Sequence, residues 1–216
     1  ITADGYLNRW KPHRAQDLLG QGDPNGEAAV LVDKLLTHLC EVDLRPERKK
    51  ILEHLKAWIS FGLFHPNERV LWAVMLVSEA KGTGKSTLAS IIADLYGPDL
   101  SKELDGLGKL AGRFQSSLMN VMFVTVAELV DRGMNQNRFN AIESIKSLIT
   151  DPRIEIEQKH KDPISIENYM RFMFSSNHKD GFGIDANERR IFPIVSERAD
   201  ILGSEFFTRL HELKAT

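Results

Sequence analysis

"SEAKGTGKST", residues 78–87, places Gly84, Lys85 and Ser86 at three of the four fixed positions of a phosphate-cradling loop, G-x-x-x-x-G-K-[ST]. The opening glycine of that pattern is Glu79 here. In such a loop, backbone N–H groups and the start of a helix converge on phosphate oxygens. Lys81, Gly82, Thr83, Gly84, Lys85, Ser86 and Thr87 are therefore the expected nucleotide contacts. Lys85 would reach the β- and γ-phosphates, and Ser86 would bind Mg²⁺. A glycine-rich turn leading into a helix is the alternative, and a carboxylate at position 79 is costly beside phosphate unless it points away.

Nucleotide hydrolysis also needs groups that orient water and hold the metal. Glu128 follows the apolar run "VMFVTVA" and is placed to polarise the attacking water and to contact the metal, although the acid that usually precedes it is Ala127. Asp131 is a weaker acidic candidate. Asn177 follows "MRFMFSS" and is placed to bridge water and the γ-phosphate; asparagine is also common where a strand enters a turn. Arg189 and Arg190 precede a further apolar run. One of them could reach a neighbouring subunit's γ-phosphate, the alternative being a solvated basic pair.

The elements that must hold these residues follow from periodicity. Residues 1–25 are polar and glycine-rich and read as an irregular entry. Ala28, Leu31, Val32, Leu35, Leu36 and Leu39 recur at helical spacing, as do Ile51, Leu52, Leu55, Trp58 and Ile59. The period then changes. Residues 70–78, 121–127, "MRFMFSS" and "RRIFPIV" are buried strands, the loop leads into a helix ending at Gly97, and helices are predicted near 137–149 and over "SEFFTRLHEL". "RIEIEQ" and "ISIEN" alternate about "KHKDP", a hairpin near 153–168. Buried strands alternating with helices indicate an α/β sheet. The expected division is a helical region over 1–66 and an α/β core over 67–216.

The composition is that of an ordinary globular chain: 216 residues, 42% hydrophobic, 27% charged and a net charge of -2. No global positive field marks a nucleic-acid binder, so such a site must be a local basic patch. Cys40 is the only cysteine, which excludes an intrachain disulfide and fits a reducing compartment, with Cys40 on an apolar helix stripe. No apolar run reaches the ~20 residues that span a bilayer, and a cytoplasmic setting is expected, the host cytoplasm if viral. The first residue is Ile, as in an excised piece of a longer protein. His38, His54, His65 and His178 lack metal-ligand spacing. Trp10, Trp58 and Trp72 are expected to pack rather than to stack on bases.

Four elements occur in order: the loop, a strand ending in Glu128, a strand ending in Asn177, and Asp185 with the arginine pair. This order resembles the superfamily 3 helicases, particularly the ATPase domains of phage, plasmid and poxvirus primase-helicases and primase-polymerases. "GYLNRW", "AGRFQSSLMNVMFVTVAE" and "IKSLITDPRIEIEQKHKDPISI" extend the likeness, the last at Lys146, Asp151, Glu157 and Lys159. Gln115 and Ala127 depart from the pattern. The resemblance implies an AAA+-like P-loop NTPase core with a parallel central sheet, ATP and Mg²⁺ as cofactors, and rings, usually hexamers, that translocate on single-stranded DNA. Glu128 would be catalytic, Asn177 the sensor and Arg189 or Arg190 the finger. The hairpin tip, Lys159, His160 and Lys161, would grip the DNA backbone, a few cations per subunit sufficing once repeated around a ring. A lysine-rich turn serving solubility is the plain alternative. Two other functions fit the motifs: a non-motor, DNA-binding ring with a degenerate nucleotide site, and a P-loop phosphotransferase.

Overall fold

The computed structural model describes residues 14–17, 20–41, 48–106, 116–127, 135–157, 162–178, 188–196 and 202–214. A short helix, α1 (Arg14–Asp17), lies in the segment expected to be irregular. The two periodic stretches form α2 (Glu27–Glu41) and α3 (Arg48–Phe64). The loop's strand is β1 (Ala73–Ser78) and its helix α4 (Lys85–Tyr96). Then come β2 (Ser101–Asp105), β3 (Phe123–Ala127), α5 (Asn135–Thr150), β4 (Arg153–Ile156), β5 (Ile164–Glu167), β6 (Arg171–Ser176), β7 (Ile191–Ser196) and α6 (Ser204–Lys214).

Five strands make a parallel sheet in the order β2-β3-β6-β1-β7. Alternation sorts the residues of β1 between two apolar layers. Ala73, Met75 and Val77 join α5 and the β4–β5 hairpin, through Ile145, Ile149, Ile154 and Ile156. Val74 and Leu76 join α2, α3, α4 and α6, through Leu35, Leu55, Leu88 and Leu210. All six residues of β1 are buried, which explains its continuous apolar run. β4 and β5 form a separate antiparallel pair, with Ile154 opposite Ile166.

Two expectations change. The strand expected over 70–78 begins at Ala73, whose N–H meets the Arg190 carbonyl at 2.8 Å. Val70 is buried in the helical layer instead, and Leu71 is exposed. β2 was not foreseen: "SKELD" is an edge strand with only Leu104 buried, so it carries almost no apolar signal.

Candidate functional site

The loop's geometry begins at the end of β1. Ser78, buried, donates its hydroxyl to the Ala80 carbonyl at 3.1 Å and turns the chain out of the sheet. Gly82 (φ 75°) and Gly84 (φ 94°) take left-handed conformations that favour glycine. Gly84 is also the N-cap of α4, and no side chain caps that end. A Cβ at Gly84 would lie 2.5 Å from Leu35 Cδ1, so a side chain there would displace α2's core residue as well. The uncapped helix start and the two glycines leave backbone N–H groups for an outside acceptor, which suits an anion.

Lys85 is buried, and its Nζ donates to the carbonyls of Ser78 (3.2 Å) and Ala80 (3.4 Å) and to Thr83 Oγ1 (3.4 Å). All three acceptors are neutral. Burial pushes the ammonium's pKa below the ordinary lysine value. A phosphate would supply the charge partner that these groups do not. Glu79 is exposed and is not among the residues that line the cleft.

A cleft of about 310 Å³ is lined by the whole loop from Lys81 to Thr87, by Asn177 and by Phe207. Asn177 arrives there because β6 pairs directly with β1, Ser176 lying level with Val77. The Ser176 hydroxyl shapes the exit: it donates to the His178 carbonyl (2.9 Å) and accepts the His178 N–H (3.0 Å). A second recess of about 200 Å³ lies beneath α4, lined among others by Lys85, Ser86, Glu103, Thr125 and Ala127. Ser86 thus faces both spaces and is itself exposed.

The arginine pair is elsewhere. Arg189 is exposed, and the Arg190 Nε meets Glu188 Oε1 at 3.2 Å. Both precede β7, which runs parallel to β1 with Ile191 beside Ala73 and Ser196 beside Ser78. A strand's length, about 16 Å at ~3.3 Å per residue, separates them from the loop of their own chain. Glu188 joins them to α5, since it also pairs with Lys146 (3.2 Å). Burial pushes the Glu188 carboxyl up, but the Arg190 N–H and the Lys146 ammonium bring it below the ordinary value. Glu143 at 2.8 Å, with Glu188, raises Lys146.

Glu128, Asp131, Asp185, the hairpin tip Lys159, His160 and Lys161, and Trp10 lie outside the described residues. Trp58 is buried, donating to the Trp72 carbonyl at 3.2 Å, and Cys40 is a buried thiol in the same layer. Among the described residues, no cluster of three or more His, Cys, Asp or Glu could hold a metal, and no helix is long and apolar enough to cross a membrane.

Sequence reasoning missed Phe207, Asn168 and Arg171. Asn168, buried, donates to the carbonyls of Leu148 (2.6 Å) and Asp151 (2.8 Å) and so ends α5 before the hairpin. Arg171, buried at the start of β6, donates to the carbonyls of His65 (2.7 Å) and Glu68 (2.9 Å) just past α3, and to that of Tyr169 (3.0 Å). Nothing local in the sequence marks these partners.

Fold and cleft together define a layered α/β protein whose parallel sheet carries a glycine loop at a strand-to-helix junction. A family described as "Family of unknown function (DUF5906)" matches residues 76–190, and the chain belongs to that family. The matched stretch runs from within β1 to Arg190 and so contains the loop, Asn177 and the arginine pair. No curated protein matches the chain. Among solved structures it is similar to "The apo structure of NrS-1 C terminal region", at 22% identity and a TM-score of 0.76, over 95% of this chain and 47% of that one. A second, A form apo structure of the same region matches at 22% and 0.74, over 97% and 48%. The likeness is one of fold, and the chain spans just under half the length of these structures.

Proposed function

We propose that the chain is the ATP-driven motor module of a phage- or plasmid-type DNA replication protein, acting on single-stranded DNA from within a homo-oligomeric ring. The observation that carries this reading is Lys85: a buried ammonium with only neutral acceptors, in a loop whose backbone donors and uncapped helix start face an open cleft. The sheet order, with the loop's strand beside the strand that delivers Asn177, supports an AAA+-like P-loop core. The fold likeness to the NrS-1 C-terminal region supports the layered α/β architecture on which this reading rests.

In this reading the loop N–H groups and Lys85 hold the β- and γ-phosphates, and Asn177 positions the attacking water. Mg²⁺ would be held mainly by phosphate oxygens and water, with the exposed hydroxyl of Ser86 at the cleft as a protein ligand and Glu128 as the acid. The metal would neutralise developing charge on the transferred phosphoryl. Lys159, His160 and Lys161 contact the DNA backbone, and Arg189 or Arg190 serves the neighbouring subunit's site.

Steady-state ATP hydrolysis, with and without single-stranded DNA, tests the reading on the wild type and Lys85→Ala. DNA should stimulate hydrolysis, and the substitution should lower it by about 100-fold or more, as expected for loss of a charge aimed at the transition state. Turnover indifferent to DNA would sink the motor. Ala127, at the strand end where an acid usually stands, favours a second reading, a ring whose nucleotide site is structural. ATP binding without turnover in the wild type would select it.

A further inference from the structure

Among the described residues lining the cleft, the loop presents backbone donors, Asn177 presents an amide, and Phe207 alone is aromatic. We propose that Phe207 is the platform on which the base of the bound nucleotide stacks, so that the site selects a nucleoside triphosphate over an inorganic polyphosphate. The proposal rests on the nucleotide reading above and adds to it the part of the ligand that the phosphate loop does not touch.

Three observations carry it. First, the ring stands against the phosphate-binding segment itself. Its Cε1 and Cζ lie 3.3 and 3.4 Å from the Cβ position of Gly84. The ring and the loop line the same cleft, so a ligand seated on the loop has the ring within its site. Second, the ring is held in place. Arg209, one turn or less along α6, grips Glu27 of α2 through two bonds of 2.7 and 2.6 Å. Lys214 pairs with Asp94 of α4 at 2.8 Å, so α6 is fastened to the loop's own helix. Phe206 stands edge-on to Phe207, with centroids 5.3 Å apart and planes at 86°. Third, Phe207 is only half-buried, although it packs on the helical layer. A residue needed solely to fill space beside Gly84 would serve as well without an aromatic face in the cleft.

A base offers what such a face can use, because every base has a π-surface and stacking is tolerant of base identity. The site should therefore bind ATP and GTP with similar dependence on the ring. Tripolyphosphate, which lacks ribose and base, should be insensitive to it.

Binding of ATP, GTP and tripolyphosphate in the presence of Mg²⁺, measured by calorimetry on wild type, Phe207→Leu and Phe207→Tyr, decides the matter. Phe207→Leu keeps apolar bulk beside Gly84. It should weaken both nucleotides about tenfold and leave tripolyphosphate unchanged, and Phe207→Tyr should bind all three like the wild type. Nucleotide affinity unchanged in Phe207→Leu would overturn the proposal. So would a parallel loss for tripolyphosphate, which would make the ring a support for the loop. Failure of the underlying reading looks different: the wild type would bind none of the three, or Lys85→Ala would bind them equally well.

Discussion

The carboxylate of Glu79 stands where the phosphate-loop pattern asks for glycine, and its exposure to water outside the cleft lining screens the conflict that the sequence raises. Gly82 and Gly84 supply the left-handed conformations that the turn needs, so the missing first glycine leaves the loop's shape intact. The placement of Lys85 and Asn177 at one cleft is legible in sequence because it depends on the strands immediately before them. Tyr96 is not legible, since its environment is made by distant partners. Its ring stacks on Phe123 at 5.4 Å, and a Cβ at Gly62 would lie 2.6 Å from its hydroxyl. Burial pushes the Tyr96 phenol up to about 12, with the Arg171 charge opposing. The folded chain then keeps a proton that the unfolded chain releases near pH 10. Stability from this group is complete below pH 10 and falls as the pH rises toward 12, by at most roughly 2–3 kcal/mol. Thermal melting between pH 9 and 12 should show a shallower decline for Tyr96→Phe than for the wild type. Parallel curves would mean that the phenol titrates normally.

Among elements, those with a clear apolar pattern are legible in the sequence. β1, β3, β6 and β7 announce themselves as apolar runs, and α2 and α3 as amphipathic periods. β2 fails because an edge strand with one buried residue looks like a polar turn. The β4–β5 pair was readable from alternation, with Ile154 and Ile156 inward and Arg153 and Glu155 outward. The link between α3 and β6 was not readable, because it consists of one side chain meeting carbonyls more than a hundred residues away in sequence. Arg171 places a positive group just past the C-terminus of α3, where its guanidinium holds the carbonyls of His65 and Glu68 in the turn that follows the helix. Arg171→Ala removes these donors and opens a void beside Gly62, and should cost about 3 kcal/mol or more in urea unfolding. Arg171→Lys should fall between the two. A loss under about 1 kcal/mol for the alanine variant would show that water serves those carbonyls instead.

At the scale of the whole molecule, the sheet separates two sets of functional candidates. The loop and Asn177 occupy one rim, and Arg189 and Arg190 the other, a strand's length away. Within the proposed ring, a chain would lend its arginines to a neighbour's nucleotide. Arg190→Ala should abolish hydrolysis in the assembled protein and leave ATP affinity unchanged. Mixing it with Lys85→Ala should restore part of the turnover, because each supplies what the other lacks. An inert mixture, or loss of ATP binding in Arg190→Ala, would remove the trans role. The sheet order also bears on how the molecule comes to exist. β1 has β6 and β7 as its only neighbours in the sheet, and both follow it by about a hundred residues. At a synthesis rate of about 5–20 residues per second, this largely apolar strand waits roughly 5–20 s on the ribosome for its first partner. Closure of so non-local a pairing is also intrinsically slow. The chain's hazard during its own birth is thus concentrated in "AVMLVS", the strand that later presents the loop, and chaperone shielding at that moment would govern how much protein a cell obtains.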